Sequence, residues 1–139
     1  MNIQMLLLPV FVQVALTFAL LFWMAATRTG SIKRGETKMR DIALRQPAWP
    51  AKPTQVGNCY QSQLELPLLF YVLAIFAWIT RQVDLIFIVM AWIFVVSRLV
   101  HAYIHISSNH VPTRFNAFAV GAIVLLLMWI MFAVRILII

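Results

Sequence analysis

The chain has 139 residues, of which 63% are hydrophobic and only 11% charged, and its formal net charge is +7. A water-soluble domain of this size has too little interior to hide so much apolar surface, which excludes the ordinary soluble classes. Unbroken runs such as LIFIVMAWIFVV (85–96) and AIVLLLMWIMF (122–132) lack the alternation of a membrane β-strand, so the predicted class is an all-α membrane protein of one domain.

Four spans are predicted, at about 3–27, 58–80, 83–106 and 113–137, joined up and down into a bundle. Each is long enough to cross about 30 Å of hydrocarbon at 1.5 Å per helical residue. The first span has no basic residue ahead of its apolar core, unlike a cleaved signal peptide, and is expected to remain. Gln13, Thr17 and Arg28 fall near one stripe of it at 100° per residue.

The segment 28–57 is the one long loop. It carries Arg28, Lys33, Arg34, Lys38, Arg40, Arg45 and Lys52 against Glu36 and Asp41. This bias predicts a cytoplasmic loop and extracytoplasmic termini, with the basic residues serving as topology signal and lipid-headgroup contacts. No nucleic-acid-reading module fits the pattern. Gly30, Gly35, Pro47, Pro50, Pro53 and Gly57 punctuate the loop, and its middle, 36–45, suits a short surface helix.

The second span opens on NCYQSQLELPLLFY (58–71). Asn58, Gln61, Ser62 and Glu65 stand at i, i+3, i+4 and i+7, one helical face. Pro67 has no N–H for the carbonyl of Gln63, which predicts a kink there. Cys59 is the lone cysteine and is expected to be a small buried thiol. TRQVD (80–84) is short enough to predict a tight hairpin between spans two and three.

Span three ends with Arg98, His101 and His105 on one face. Pro112 suits the first turn of span four, Arg114 opens it, and Ala117 with Gly121 form a small-xxx-small pair suited to close helix packing. Trp23, Trp49, Trp78, Trp92 and Trp129 are expected as interface anchors and packing groups. Polar side chains within spans are expensive, yet here they gather at one end of every helix. Two plainer uses stay open at this point: Glu65 paired with Arg98 or Arg28, or a metal held by Glu65, His101 and His105.

NCYQSQLELPLLFY and SRLVHAYIHISSNHVPTR (97–114) together resemble the MAPEG family, the membrane-associated proteins in eicosanoid and glutathione metabolism. The likeness lies in the helix-two glutamate, Glu65, in the Arg-x-x-His pair Arg98 and His101, and in the Pro-x-Arg element Pro112 and Arg114. The resemblance implies a homotrimer with glutathione between subunits near the cytoplasmic face. It implies glutathione contacts from Glu65, Arg98, His101 and, more loosely, Arg28, with Arg114 beside the thiol as the catalytic residue. Asn58, Ser62, His105 and Phe115 depart from the prostaglandin E synthase pattern, and the chain looks closer to the bacterial branch.

The residue chemistry suits this ligand. Arg28, Arg98 and Arg114 match its two carboxylates, Glu65 its ammonium, and Asn58, Gln61, Ser62 and His105 its peptide groups. The function expected is a glutathione-dependent membrane transferase or peroxidase acting on a lipophilic electrophile or hydroperoxide, with no metal. The alternatives are a non-catalytic glutathione- or lipid-binding membrane protein and a small four-helix multidrug transporter. The long basic loop and the absence of a glutamate in span one weigh against the transporter.

Overall fold

The structure is a computed structural model and describes residues 2–43 and 48–138. Five α-helices make four candidate membrane spans: α1 (Ile3–Lys33), α2 (Ala51–Ser62) with α3 (Leu66–Ile79) as one broken span, α4 (Leu85–Ile106) and α5 (Val111–Leu137). The protein is a multi-pass integral membrane protein folded as a four-span bundle. No strand occurs among the described residues.

Helix ends explain where the expected boundaries move. α1 runs to Lys33, past the expected end at 27, because Gly30 is tolerated inside it and the stop falls at Gly35. There Gly35 takes φ 76, Glu36 N donates to Ser31 O at 3.0 Å, and Gly35 N donates to Ile32 O at 3.1 Å. This left-handed cap satisfies carbonyls that the helix end leaves open. The second span starts early, at Ala51, with Pro53 in its first turn, so the loop is shorter than 28–57. The expected surface helix over 36–45 is only a 3-10 turn, Met39–Ile42; Leu44, Arg45, Gln46 and Pro47 lie outside the described residues. Thr37 is buried and ties this loop back, through Ser31 Oγ at 2.8 Å and the Ala48 carbonyl at 3.3 Å.

The kink expected at Pro67 is a complete break. α2 stops at Ser62 and α3 starts at Leu66, with Pro67 in its first turn. Unbonded backbone inside a membrane costs several kcal/mol per group, as a rough figure, so the last carbonyls of α2 need partners. All four have one: Cys59 O accepts from Gln63 Nε2 (3.0 Å), Tyr60 O from Gln63 N (2.9 Å), Gln61 O from Leu64 N (3.0 Å) and Ser62 O from Arg98 Nη2 (3.1 Å).

A core of Leu6, Phe70, Leu73, Phe87, Phe94 and Met128 joins α1, α3, α4 and α5. α3 and α4 are joined by the short 80–84 turn but do not form the expected tight hairpin. Their contact runs through large side chains, Phe70 on Phe94 at 4.9 Å between ring centres, which hold the backbones apart. The close approach lies instead between α4 and α5. A Cβ at Gly121 would stand 2.6 Å from Ser97 Oγ, so any larger residue there must displace that hydroxyl. Lipid-facing flanks are apolar, with Phe11, Phe22 and Ile79 each at least 60% exposed. Lys52 Nζ donates to Ile106 O (3.0 Å) and Gln55 Nε2 to His105 O (2.6 Å), so the long loop and the 107–110 turn share one end of the bundle.

Candidate functional site

At that loop end α2 and α5 diverge, and α4 forms the floor between them. The resulting cleft, about 270 Å³, is lined by Asn58, Ser62 and Glu65 from the α2–α3 break, His101 and His105 from α4, and Val111, Arg114, Phe115 and Phe118 from α5. Six of the residues singled out from sequence therefore come together: Asn58, Ser62, Glu65, His101, His105 and Arg114. Two grooves elsewhere, of about 350 and 540 Å³, are almost wholly apolar and hold no comparable set of polar groups.

Each polar side chain has a local reason for its place. Glu65 stands at the N-terminus of α3, with backbone angles of −96° and −94° outside any helix, and is exposed to the cleft. Among the described residues the ion pairs are Arg34–Glu36, Arg40–Asp41 and Arg135–Asp84, so the alternative of a Glu65 pair with Arg98 or Arg28 is not seen. Arg114 sits in the first turn of α5, where Nη1 donates to Asn109 Oδ1 at 2.6 Å. Asn109 takes φ 53, a left-handed value that asparagine tolerates, and its amide side chain holds the guanidinium. His101 and His105 lie one turn apart with ring centres 5.5 Å apart, and each Nδ1 is buried without a protein partner. No group of three His, Cys, Asp or Glu residues suited to a metal ion occurs among the described residues.

Three of the singled-out residues lie outside the lining. Arg98 is 1% exposed and sits behind the cleft, donating through Nη2 to the Ser62 carbonyl and hydroxyl, while Nε and Nη1 have no partner. Arg28 packs on the other flank, 4.9 Å over the Trp49 ring and against Gly57, where a Cβ would meet its Nη2 at 3.1 Å. Gln61 is exposed on α2 and turns away from the cleft. Val111 and Phe118 were missed from sequence. They stand three before and four after Arg114, on its helical face, which is the signal that would have found them. With Phe115, 64% exposed, they surround Arg114 with apolar surface on the α5 wall, opposite the polar residues of the α2–α3 break.

A sequence model of the MAPEG family matches residues 6–134, nearly the whole chain. No curated protein and no solved structure matches it.

Proposed function

Because the chain belongs to the MAPEG family, we propose that it is a glutathione-dependent membrane transferase or peroxidase whose second substrate is a lipophilic electrophile or hydroperoxide. The observation that supports this most is the cleft itself. It sets an unpaired carboxylate, Glu65, and an arginine, Arg114, on opposite walls of one pocket with two histidines between them. A zwitterionic thiol with a terminal ammonium and two carboxylates suits that arrangement through charge-assisted bonds.

The chemistry needed is ionisation of the thiol. A free thiol with a pKa of about 8.5 is only a few per cent thiolate at neutral pH. A guanidinium within about 5 Å in a partly dry pocket lowers that by roughly one to three units. Arg114 is the residue proposed for this role. The thiolate held at Arg114 then attacks the electrophile and displaces its leaving group, or attacks the distal oxygen of a hydroperoxide. The second route breaks the O–O bond, releases the alcohol after protonation and leaves a glutathione sulfenic acid, which a second glutathione converts to the disulfide and water. Val111, Phe115 and Phe118 are proposed to hold the apolar co-substrate arriving from the bilayer.

The cleft is small against the roughly 300–1,000 Å³ usual for ligand sites and stands open between α2 and α5. A neighbouring subunit of a homotrimer, proposed on the family likeness, would cover it and supply further contacts. The basic bias of the loop supports a cytoplasmic position for this end, with both termini on the far side.

Purified protein in detergent is the material for the test. Saturable glutathione binding with conjugation of chlorodinitrobenzene is the expected result. Binding without turnover of this electrophile or of a lipid hydroperoxide identifies a carrier and rejects the enzyme. No binding, with dye uptake into vesicles, identifies a transporter.

A further inference from the structure

Behind the cleft, the helix break rests on a buried polar pair. Gln13 of α1 and Gln63 are 0% and 1% exposed, and Gln13 Nε2 donates to Gln63 Oε1 at 2.9 Å. Gln63 Nε2 in turn donates to the Cys59 carbonyl at 3.0 Å. Buried amides cost free energy unless bonded, and Gln13 Oε1 is left without a partner. Apolar side chains would fill the space at lower cost, so packing alone does not account for the pair.

The pair acts where two backbone states compete. Proline in a membrane helix is ordinarily accommodated by a continuous, kinked helix. In that state Cys59 O would accept from the backbone N–H of Gln63. Here the backbone N–H of Gln63 goes to Tyr60 O and the side-chain amide takes its place on Cys59 O. Gln63 thus caps the broken end of α2, and Gln13 fixes the orientation of the capping amide from a different span. Two residues further on, Glu65 leaves the helical path and lines the cleft.

We propose that Gln13 and Gln63 are positioning residues that hold the 63–65 break and thereby set Glu65 in the cleft. The consequence for ligand binding rests on the glutathione reading above; the consequence for the break does not.

Amide hydrogen exchange on the full-length protein in lipid nanodiscs tests the break directly. Gln13→Leu is expected to speed exchange at residues 63–65 about tenfold, as loss of one stabilising contact implies, with the α5 core near Leu125 unchanged. Thr17→Val, which removes a bond to the Gln13 carbonyl within α1 and leaves the Gln13–Gln63 contact in place, is expected to match the parent. If Gln13→Leu does not fold, Gln13→Asn keeps an amide too short to reach Gln63 and replaces it. Parent-like exchange in the Gln13 variant, or equal acceleration in Thr17→Val, overturns the proposal. A second measurement separates positioning from general support. Gln13→Leu is expected to weaken glutathione binding several-fold in the parent and to have no further effect in a Glu65→Gln background. Additive losses overturn the positioning role. A parent that binds no glutathione counts against the proposed function, and the exchange comparison then decides this inference by itself.

Discussion

The 80–84 turn and the cleft treat their polar groups in opposite ways. At the turn, Arg135 Nη2 donates to Asp84 Oδ2 at 2.7 Å and Nη1 to the Gln82 carbonyl at 3.1 Å, while Asp84 also caps α4 by accepting from the Phe87 N–H at 2.9 Å. At the cleft, Glu65 has no ion pair, His101 and His105 each keep a bare Nδ1, and Arg98 behind it keeps two bare nitrogens, while Arg34–Glu36 and Arg40–Asp41 pair in the nearby loop. Charges that serve only the fold find each other, as at Asp84. The buried Nδ1 atoms of His101 and His105 beside the cleft cost stability without a partner, and the proposed ligand would supply one.

Several substitutions would break or sharpen this contrast. The largest effect is expected from Arg114→Ala. Loss of the guanidinium returns the bound thiol toward its free pKa and lowers conjugation at neutral pH by about a hundredfold, recovering as pH rises. Thiolate absorbance of bound glutathione against pH checks it, and a titration identical to the parent removes Arg114 from that role. Next comes Gly121→Ala, which drives a methyl into Ser97 Oγ and is expected to cost about 1–2 kcal/mol in thermal stability. Ser97→Ala in the same chain removes the clashing oxygen and should recover most of that loss.

The smallest effect is at the 80–84 turn. Asp84→Asn should lower stability by under about 1 kcal/mol, since the Asp84 side chain is 44% exposed, and leave ligand binding unchanged. Partial burial pushes the Asp84 carboxyl up, but the Phe87 N–H and the Arg135 guanidinium together hold it below the usual carboxylate range. A depressed carboxylate contributes stability above its unfolded pKa of about 3.9, and that contribution fades as pH falls through the lower folded value. Thermal midpoints in detergent between neutral and strongly acid pH should therefore converge for parent and Asp84→Asn at the acid end.

Much of the architecture was legible from hydropathy, because the bilayer fixes how long an apolar helix must be. The convergence of Asn58, Ser62, Glu65, His101, His105 and Arg114 was legible as well, since helical spacing puts polar residues on a face and span direction sets their depth. What stayed hidden depended on three-dimensional competition. Gln61 and Ser62 stand about 100° apart on α2, and spacing alone does not say which of them meets the cleft. Pro67 signalled a disturbance, but whether it is a kink or a break was decided by Gln63 and Arg98 reaching the freed carbonyls, contacts that span 4 and 36 residues of sequence. Arg28 looked like part of the cationic set because its depth is right, and only the fold shows it stacked on Trp49 at another flank.

Calorimetric titration of glutathione into the parent, Glu65→Gln and Asp84→Asn proteins tests the central claim most directly. The account predicts saturable binding in the parent, roughly tenfold or more weaker binding in Glu65→Gln from one lost charge-assisted bond, and parent-like binding in Asp84→Asn. Equal behaviour of the two carboxylate variants, or a parent with no saturable heat, would contradict it.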